Sequence, residues 1–519
     1  MKKRFVAAML AGTMAFSMLA GCGTSGDTSS AGTSENSNSE LVFVNYRDIR
    51  DLNPHLYAGE MYAQSMLYDT LVSITDDGYE GCLAEGWEIS EDGKIYTFKI
   101  REGVTFSDGA VCDANAILAN FNAIIANKER HTWLEMMNLL VGVSAPDDYT
   151  FVIELSEAYY PMLTELGCIR PFAMISPNCM IDGQTKDGVN GYIGTGPYVL
   201  TDFVTDEYAV FERNENYWGE LPAIEKITVK VIPDNQTRIM ALESGEIDLI
   251  FGKNMLDADA ISQYTDSDKF TVSLSDPTST RHIVLNTTND ILSDVTVRQA
   301  LQHATDRNAI SEGIFYGLEQ PADTLYSKTV PYCDVDLEPY EYSADTASEM
   351  LEKAGWIMGS DGVRYKDGKK LELGLLYNSD SVTEKTISEY LQSEYAKLGI
   401  SINIHGEEEQ SYRDSMKAGN FDMVFNICWG MPYDPQSSLA AMRAPVYGDY
   451  AAQLGLEDKA EIDKAITDIL TSTDETERQE LYTFVLTRLH EDAVYIPLTY
   501  ECNKALYTSD LQGVHFGTD

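Results

Sequence analysis

KKLELGLLYN (369–378) and ISINIHG (400–406) stand on either side of a stretch, 384–398, whose apolar residues recur at helical spacing. The flanking runs are short, rich in Leu, Ile and Tyr, and partly alternating, so they read as strands around a helix. Strands joined through a helix lie parallel, which places the chain in the α/β class. A second such unit falls around 226–251, where KITVKVI (226–232) and IDLIF (247–251) flank a short helical stretch at 237–245. Two separated units predict two sheets and hence two lobes. LVFVNY (41–46), YTFKI (96–100) and YTFVIEL (149–155) read as further strands, and 113–127 as a helix. SDVTVRQALQHATDRNAI (293–310) predicts one helix, with Asp294 as its cap and Val297, Ala300, Leu301 and Ala304 on one face.

The length supports this division, since 519 residues exceed a single ordinary core of about 100 to 200. With 44% hydrophobic residues there is material for full cores, which excludes a disordered or collagen-like chain. Thirty-seven basic against 83 acidic residues give a net charge of −46. That balance excludes a nucleic-acid partner, whose phosphates need clustered Lys and Arg, and disfavours an anionic membrane surface. It identifies no ligand.

The N-terminus sets the compartment. Lys2, Lys3 and Arg4 precede an apolar stretch, 5–18, too short to span a bilayer. LAGC (19–22) follows and looks like a bacterial lipobox. Residues 1–22 are therefore expected to be a lipoprotein signal peptide, with Cys22 acylated as the first mature residue. Residues 23–40 are expected to form a flexible linker, because 23–39 hold no large apolar group. An extracytoplasmic body, anchored to the bacterial cell membrane as a lipoprotein, is the expectation. Seven further cysteines, odd in number and without a C-x-x-C pair, read as isolated buried thiols.

Signs of catalysis are sparse. No G-x-S-x-G elbow occurs, and His490-Glu491 fails as a metal helix because Val494 replaces the second histidine. Gly362 to Lys369 imitates a phosphate loop with the wrong spacing and reads as a hairpin. The seven histidines show no i, i+4 pair, which disfavours an all-histidine metal cage. A secreted hydrolase has only abundant acids in its favour. Aromatic residues beside single cations stand out instead. Arg130 and Trp133 sit three apart, as on one helical face. Arg170 lies in the apolar run LTELGCIRPFAMI (163–175), where a guanidinium must meet an anion. That anion is either a structural partner such as Glu165 or a carboxylate of a ligand, which the planar fork matches. CWGMPYDP (428–435) offers Trp429 and Tyr433 in a Gly- and Pro-rich turn, as binding residues or as core.

Longer segments carry a resemblance. LAEGWEISEDGKIYTFKIREGVTFSDG (83–109), IGTGPYVL (193–200), RNENYWG (213–219), LESGEIDLI (242–250), VRQALQHATDR (297–307), EKAGW (352–356) and HEDAVYIPL (490–498) resemble the family 5 solute-binding proteins of ABC importers. The resemblance implies a two-lobed, periplasmic-binding-protein-like (Venus flytrap) α/β fold with mixed sheets and a hinge. Lobe I would comprise 41–276 plus 501–519, and lobe II 277–500. It implies a monomer that is no enzyme, holds no permanent cofactor and serves ABC importer permease subunits. NPHLYAGEMYAQSMLYDTLV (53–72), RHTWLEM (130–136), AYYPMLTELGCIRPF (158–172) and WGMPYDPQSSLAAMRAP (429–445) are most similar to the nickel-binding branch of that family. There the solute is nickel, or a similar metal, held as a complex with a small carboxylate or histidine-type chelator. By that likeness Arg170 grips the chelator's carboxylates, and Tyr57, Met61, Arg130, Trp133, Trp429 and Tyr433 line the cleft. The family's metal-touching histidine corresponds to Tyr447, which leaves the chain's own metal ligand unknown. The alternative is an oligopeptide or dipeptide receptor on the same scaffold. Its usual aspartate, three residues after the cleft tryptophan, is Pro432 here, with Asp434 on a displaced register. Haem is a third possibility on that scaffold.

Overall fold

The computed structural model describes residues 39–75, 78–252, 255–430 and 433–516. The lipobox, Cys22, nearly all of the linker expected over 23–40, and Pro432 lie outside the described residues. The chain divides into two units. The first runs up to Ala158, resumes over Met162–Ser275 and returns from Asn503; the second holds Tyr159–Pro161 and Asp276–Cys502.

In the first unit the strand Glu40–Asn45 is the centre of a mixed sheet. It pairs in parallel with Lys226–Val231 on one side and Leu249–Phe251 on the other. The crossover between those two outer strands is the helix Asn235–Glu243, capped by Asp234, whose side chain accepts from the N–H of Thr237. This is the strand, helix, strand unit expected around 226–251, with the helix shifted to start at 235. Antiparallel additions extend the sheet, on one side through Tyr208–Arg213 to Tyr198–Val204 at the edge, and on the other through residues 505–507, beyond which the sheet continues. Its core gathers Phe43, Leu67, Phe211, Ile227, Val229 and Leu249, all buried. A separate antiparallel sheet runs in the order Ala84–Ile89, Ile95–Ile100, Thr150–Leu155, Leu140–Asp147. The helix Ala114–Ala126, capped by Asp113, packs on it through Phe121, whose ring lies 4.8 Å from that of Phe151.

The IGTGPYVL segment has a steric explanation. A Cβ added at Gly194 would lie 2.0 Å from the carbonyl oxygen of Leu67, and one at Gly196 2.5 Å from its carbonyl carbon. Backbone meets backbone at this point, which only glycine permits.

In the second unit Glu372–Asn378 and Ser401–Glu407 pair in parallel around the helix Val382–Lys397, as read from the sequence. Met423–Ile427 adds in parallel to the first of these and antiparallel to residues 281–285. The buried core includes Leu373, Leu375, Ile387, Leu391 and Phe425. The residues imitating a phosphate loop lie in a small antiparallel sheet, Ile357–Met358, Arg364–Lys366 and Lys369–Lys370. The single helix expected over 293–310 is two, Val295–Ala304 and Arg307–Phe315. Asp294 caps the first as expected, and Asp306 caps the second through the N–H of Ala309, so the acid ends one helix by starting another. The break serves the buried arginines of this segment: Arg298 donates to the carbonyl oxygens of Leu292 and Asp492, and Arg307 to that of Pro497. The segments VRQALQHATDR and HEDAVYIPL are thus tied together by guanidinium-to-carbonyl bonds.

All seven described cysteines are buried thiols. Their burial suits the expectation of isolated small hydrophobes.

Candidate functional site

Each unit collects its own share of the residues singled out from the sequence. In the first unit the polypeptide leaves the strand Glu40–Asn45 and reaches Tyr57 just before the short helix Met61–Leu67. Tyr57 is half-buried. Its hydroxyl receives the indole N–H of Trp133 at 2.9 Å and lies 2.6 Å from Nδ1 of His131. The two neighbouring rings stand edge-on to it, at 6.0 Å for Trp133 and 5.6 Å for His131. The Arg130 guanidinium lies over the Tyr57 ring at 5.9 Å. Burial pushes the Tyr57 phenol up to about 12, against the opposing pull of the Trp133 hydrogen bond and of the Arg170 and Arg130 charges.

The backbone explains how Arg130 and Trp133 share one residue. They do not lie on one helix as expected. Lys128–His131 is a single 3-10 turn that follows the helix Ala114–Ala126, and Trp133 sits beyond its end. The tighter turn projects Arg130 outward and His131 inward, where it is fully buried. Arg170 is half-buried, and its Nη1 donates to the carbonyl oxygen of Gly59 at 3.2 Å, on the segment that carries Tyr57 and Met61. Glu165, the structural partner weighed in the sequence, is buried and accepts from the backbone N–H of Met136 at 3.1 Å. Met61 is exposed at the first position of its helix.

In the second unit Trp429, Tyr433 and Tyr447 form one aromatic group. Trp429 follows the strand Met423–Ile427, and its ring lies 6.3 Å from that of Tyr433 and 5.6 Å from that of Tyr447, both nearly perpendicular. Tyr447 caps the short helix Gly448–Gln453 by position and also contacts Arg413, whose charge it helps to hold. Asp434 is buried and turned inward, accepting from the N–H of Gly430.

The first cluster therefore presents two cations with aromatic rings, and the second presents three aromatic rings, with Arg413 against Tyr447. Among the described residues no group of three or more His, Cys, Asp and Glu could hold a metal ion. His131 is the residue that sequence reasoning passed over, since it belongs to no i, i+4 histidine pair. The available signal was its place between Arg130 and Trp133.

Comparison with known proteins follows from the same residues. Residues 78–449 match the bacterial extracellular solute-binding proteins, family 5 Middle. The nickel-binding periplasmic protein of Escherichia coli (strain K12) is 42% identical over 458 residues, 87% of each chain. The periplasmic oligopeptide-binding protein OppA of Salmonella typhimurium is 27% identical over 501 residues, covering 90% of this chain and 88% of the relative. Among solved structures, NikA from Brucella suis in complex with Fe(III)-EDTA superposes with a TM-score of 0.90 at 43% identity, over 92% of this chain and 97% of that one.

Proposed function

We propose that this chain, which belongs to the bacterial extracellular solute-binding proteins of family 5, carries nickel or a similar transition metal as a complex with a small carboxylate or histidine-type chelator. Membership settles the coarser statements: it is a substrate-binding protein of an ABC importer, with the mixed α/β, two-lobed fold of that family, and not an enzyme. The finer reading rests on one observation. In a chain of net charge −46, two guanidinium groups, Arg130 and Arg170, act on the same half-buried tyrosine. Cations concentrated against such a background suit an anionic solute. Arg170 would take a carboxylate through its fork, while Tyr57, Trp133, Trp429 and Tyr433 would pack on the flat faces of the chelate.

The chelator is assigned most of the coordination because Tyr447 stands where the family's histidine is expected, and nickel(II) favours nitrogen donors over a phenol. The E. coli relative named for nickel and the Brucella protein holding an iron chelate support this reading. A peptide is the second reading, and OppA keeps it open. Against it stands Asp434, the acid on a displaced register two positions after Pro432, which is buried and accepts a backbone N–H of its own turn.

Both clusters act together only if the lobes close on the solute, so closure is part of the proposal, with the lobes at 41–276 plus 501–519 and 277–500. Such closure requires contacts that improve on closing in both lobes. Acylation at Cys22 would keep the protein beside its permease subunits. Calorimetry on purified protein lacking residues 1–22 tests the ligand: nickel with L-histidine should bind more tightly than nickel alone. Equal affinity with and without histidine would overturn the chelate reading.

A further inference from the structure

Among the described residues the His131 side chain makes one hydrogen bond, and that bond goes to Tyr57. The residue is fully buried, and its Nε2 meets no hydrogen-bond partner among the described residues. For packing alone an apolar side chain would serve better, because a buried polar atom left without a partner is costly. The part the imidazole plays beyond packing therefore lies at its Nδ1.

The direction of that bond follows from the donor inventory. The indole N–H of Trp133 can only donate, so the Tyr57 oxygen accepts it at 2.9 Å. The contact between the Tyr57 oxygen and His131 Nδ1 is 2.6 Å, shorter than N–H···O bonds run and within the range of hydroxyl donors. That length suits a phenol that gives its single proton to Nδ1, with His131 a neutral imidazole carrying its proton on Nε2. Burial, with the Arg130 charge beside it, holds the His131 pKa down at about 4, consistent with a neutral acceptor.

We infer that His131 is a positioning residue of the solute site: by accepting the Tyr57 hydroxyl proton it fixes a Trp133 to Tyr57 to His131 chain, which orients both aromatic rings and leaves the phenol no proton to offer the solute. The inference rests on the reading that Tyr57 and Trp133 face the solute. It adds a statement about specificity. The indole N–H is used on the phenol and the phenol proton on the imidazole, so these rings offer the solute faces and edges, and donation to its anionic groups falls to Arg130 and Arg170. The class favoured is a solute with an apolar or flat surface beside its carboxylates, not one whose hydroxyl or carbonyl groups need donors at this point.

The test has an arm without ligand. In the purified protein free of solute, the indole N–H resonance of Trp133, assigned with Trp133→Phe, should move on His131→Leu and stay close to its original place on His131→Asn, which keeps an acceptor near the Nδ1 position. With nickel and L-histidine as the probe, His131→Leu should weaken binding roughly tenfold and His131→Asn by less than about threefold. In a Tyr57→Phe background, His131→Leu should add no further loss. An unmoved Trp133 resonance, or losses from the two changes that multiply as independent, overturns the inference. If the unaltered protein binds no nickel–histidine, the ligand reading fails while the resonance comparison still decides the role of His131. If His131→Leu does not fold, His131→Asn and His131→Gln against Tyr57→Phe complete the cycle.

Discussion

The carboxylate of Asp434 lies 2.7 Å from the backbone nitrogen of Gly430 and accepts its hydrogen bond. The carbonyl oxygen of Gly430 in turn receives the N–H groups of Tyr433 and Asp434. Gly430 has φ +84, and a Cβ there would come within 2.9 Å of the carbonyl oxygen of Thr278. An acid and a glycine thus hold the backbone that presents Trp429 and Tyr433.

Asp434→Ala is accordingly expected to lower stability by about 1–3 kcal/mol, the cost of leaving a buried donor without its acceptor. Asp434→Asn, which retains a carbonyl oxygen at the same place, should cost less. Urea unfolding midpoints of the two variants check this. Equal midpoints for Asp434→Ala and the unaltered protein would show that the turn stands without the acid.

Arg170→Ala should weaken nickel–histidine binding by about 2–5 kcal/mol if the guanidinium takes a solute carboxylate in a desolvated site. Arg170→Lys should recover little, since an ammonium cannot match two oxygens at once. Calorimetry measures both. Unchanged affinity in Arg170→Ala would make Arg170 a structural residue, as its bond to the Gly59 carbonyl already allows.

The comparison of sequence with structure turns on how local each signal is. The strand, helix, strand unit over 369–406 was legible because periodicity and β-branched content are properties of neighbours in the chain, and the register Glu372↔Ser401 through Asn378↔Glu407 follows that reading. The break at Asp306 was missed because Thr305-Asp306 interrupts a pattern whose apolar spacing continues across it, and only the cap bond to Ala309 reveals the second helix. Arg170 and Trp133 were expected from residue type, and Tyr57 from resemblance; the structure brings Tyr57 and Trp133 into hydrogen-bond contact. His131 was not expected, because its meaning lies in Tyr57, 74 positions away, and no periodicity joins the two. The glycines of IGTGPYVL were read as a landmark, while their cause, the backbone of Leu67, is visible only in three dimensions.

His55 gives a pH signature. It is buried, with Nδ1 2.9 Å from the Thr185 hydroxyl, and burial holds its pKa down at about 3. The unfolded imidazole titrates near 6.5, so between about 6.5 and 3 the unfolded chain binds a proton that the folded chain refuses. Its contribution is present above pH 6.5 and falls as the pH drops, by at most about 1.4 kcal/mol per pH unit. His55→Asn should flatten this part of the stability curve. Denaturation at pH 7.5 and 4.5 for both proteins tests the difference. An identical slope in the variant would remove His55 from the acid response.

In the second unit Arg281 and Glu501 form a buried ion pair, each side chain 8% exposed, and Ser279 donates to the second carboxylate oxygen of Glu501 at 2.8 Å. Such a pair is poor evidence of net stabilisation, because desolvation of both ions offsets their attraction, yet breaking it strands a charge. Glu501→Ala is therefore expected to destabilise by about 3–5 kcal/mol. The double change Arg281→Met with Glu501→Leu should recover much of that loss, since it removes both charges and returns apolar volume beside Phe315, whose ring the guanidinium now covers at 5.4 Å. Urea denaturation of the single and double variants separates the cases. If the double variant is no more stable than Glu501→Ala, the pair contributes through its geometry and not merely by neutralising a buried cation.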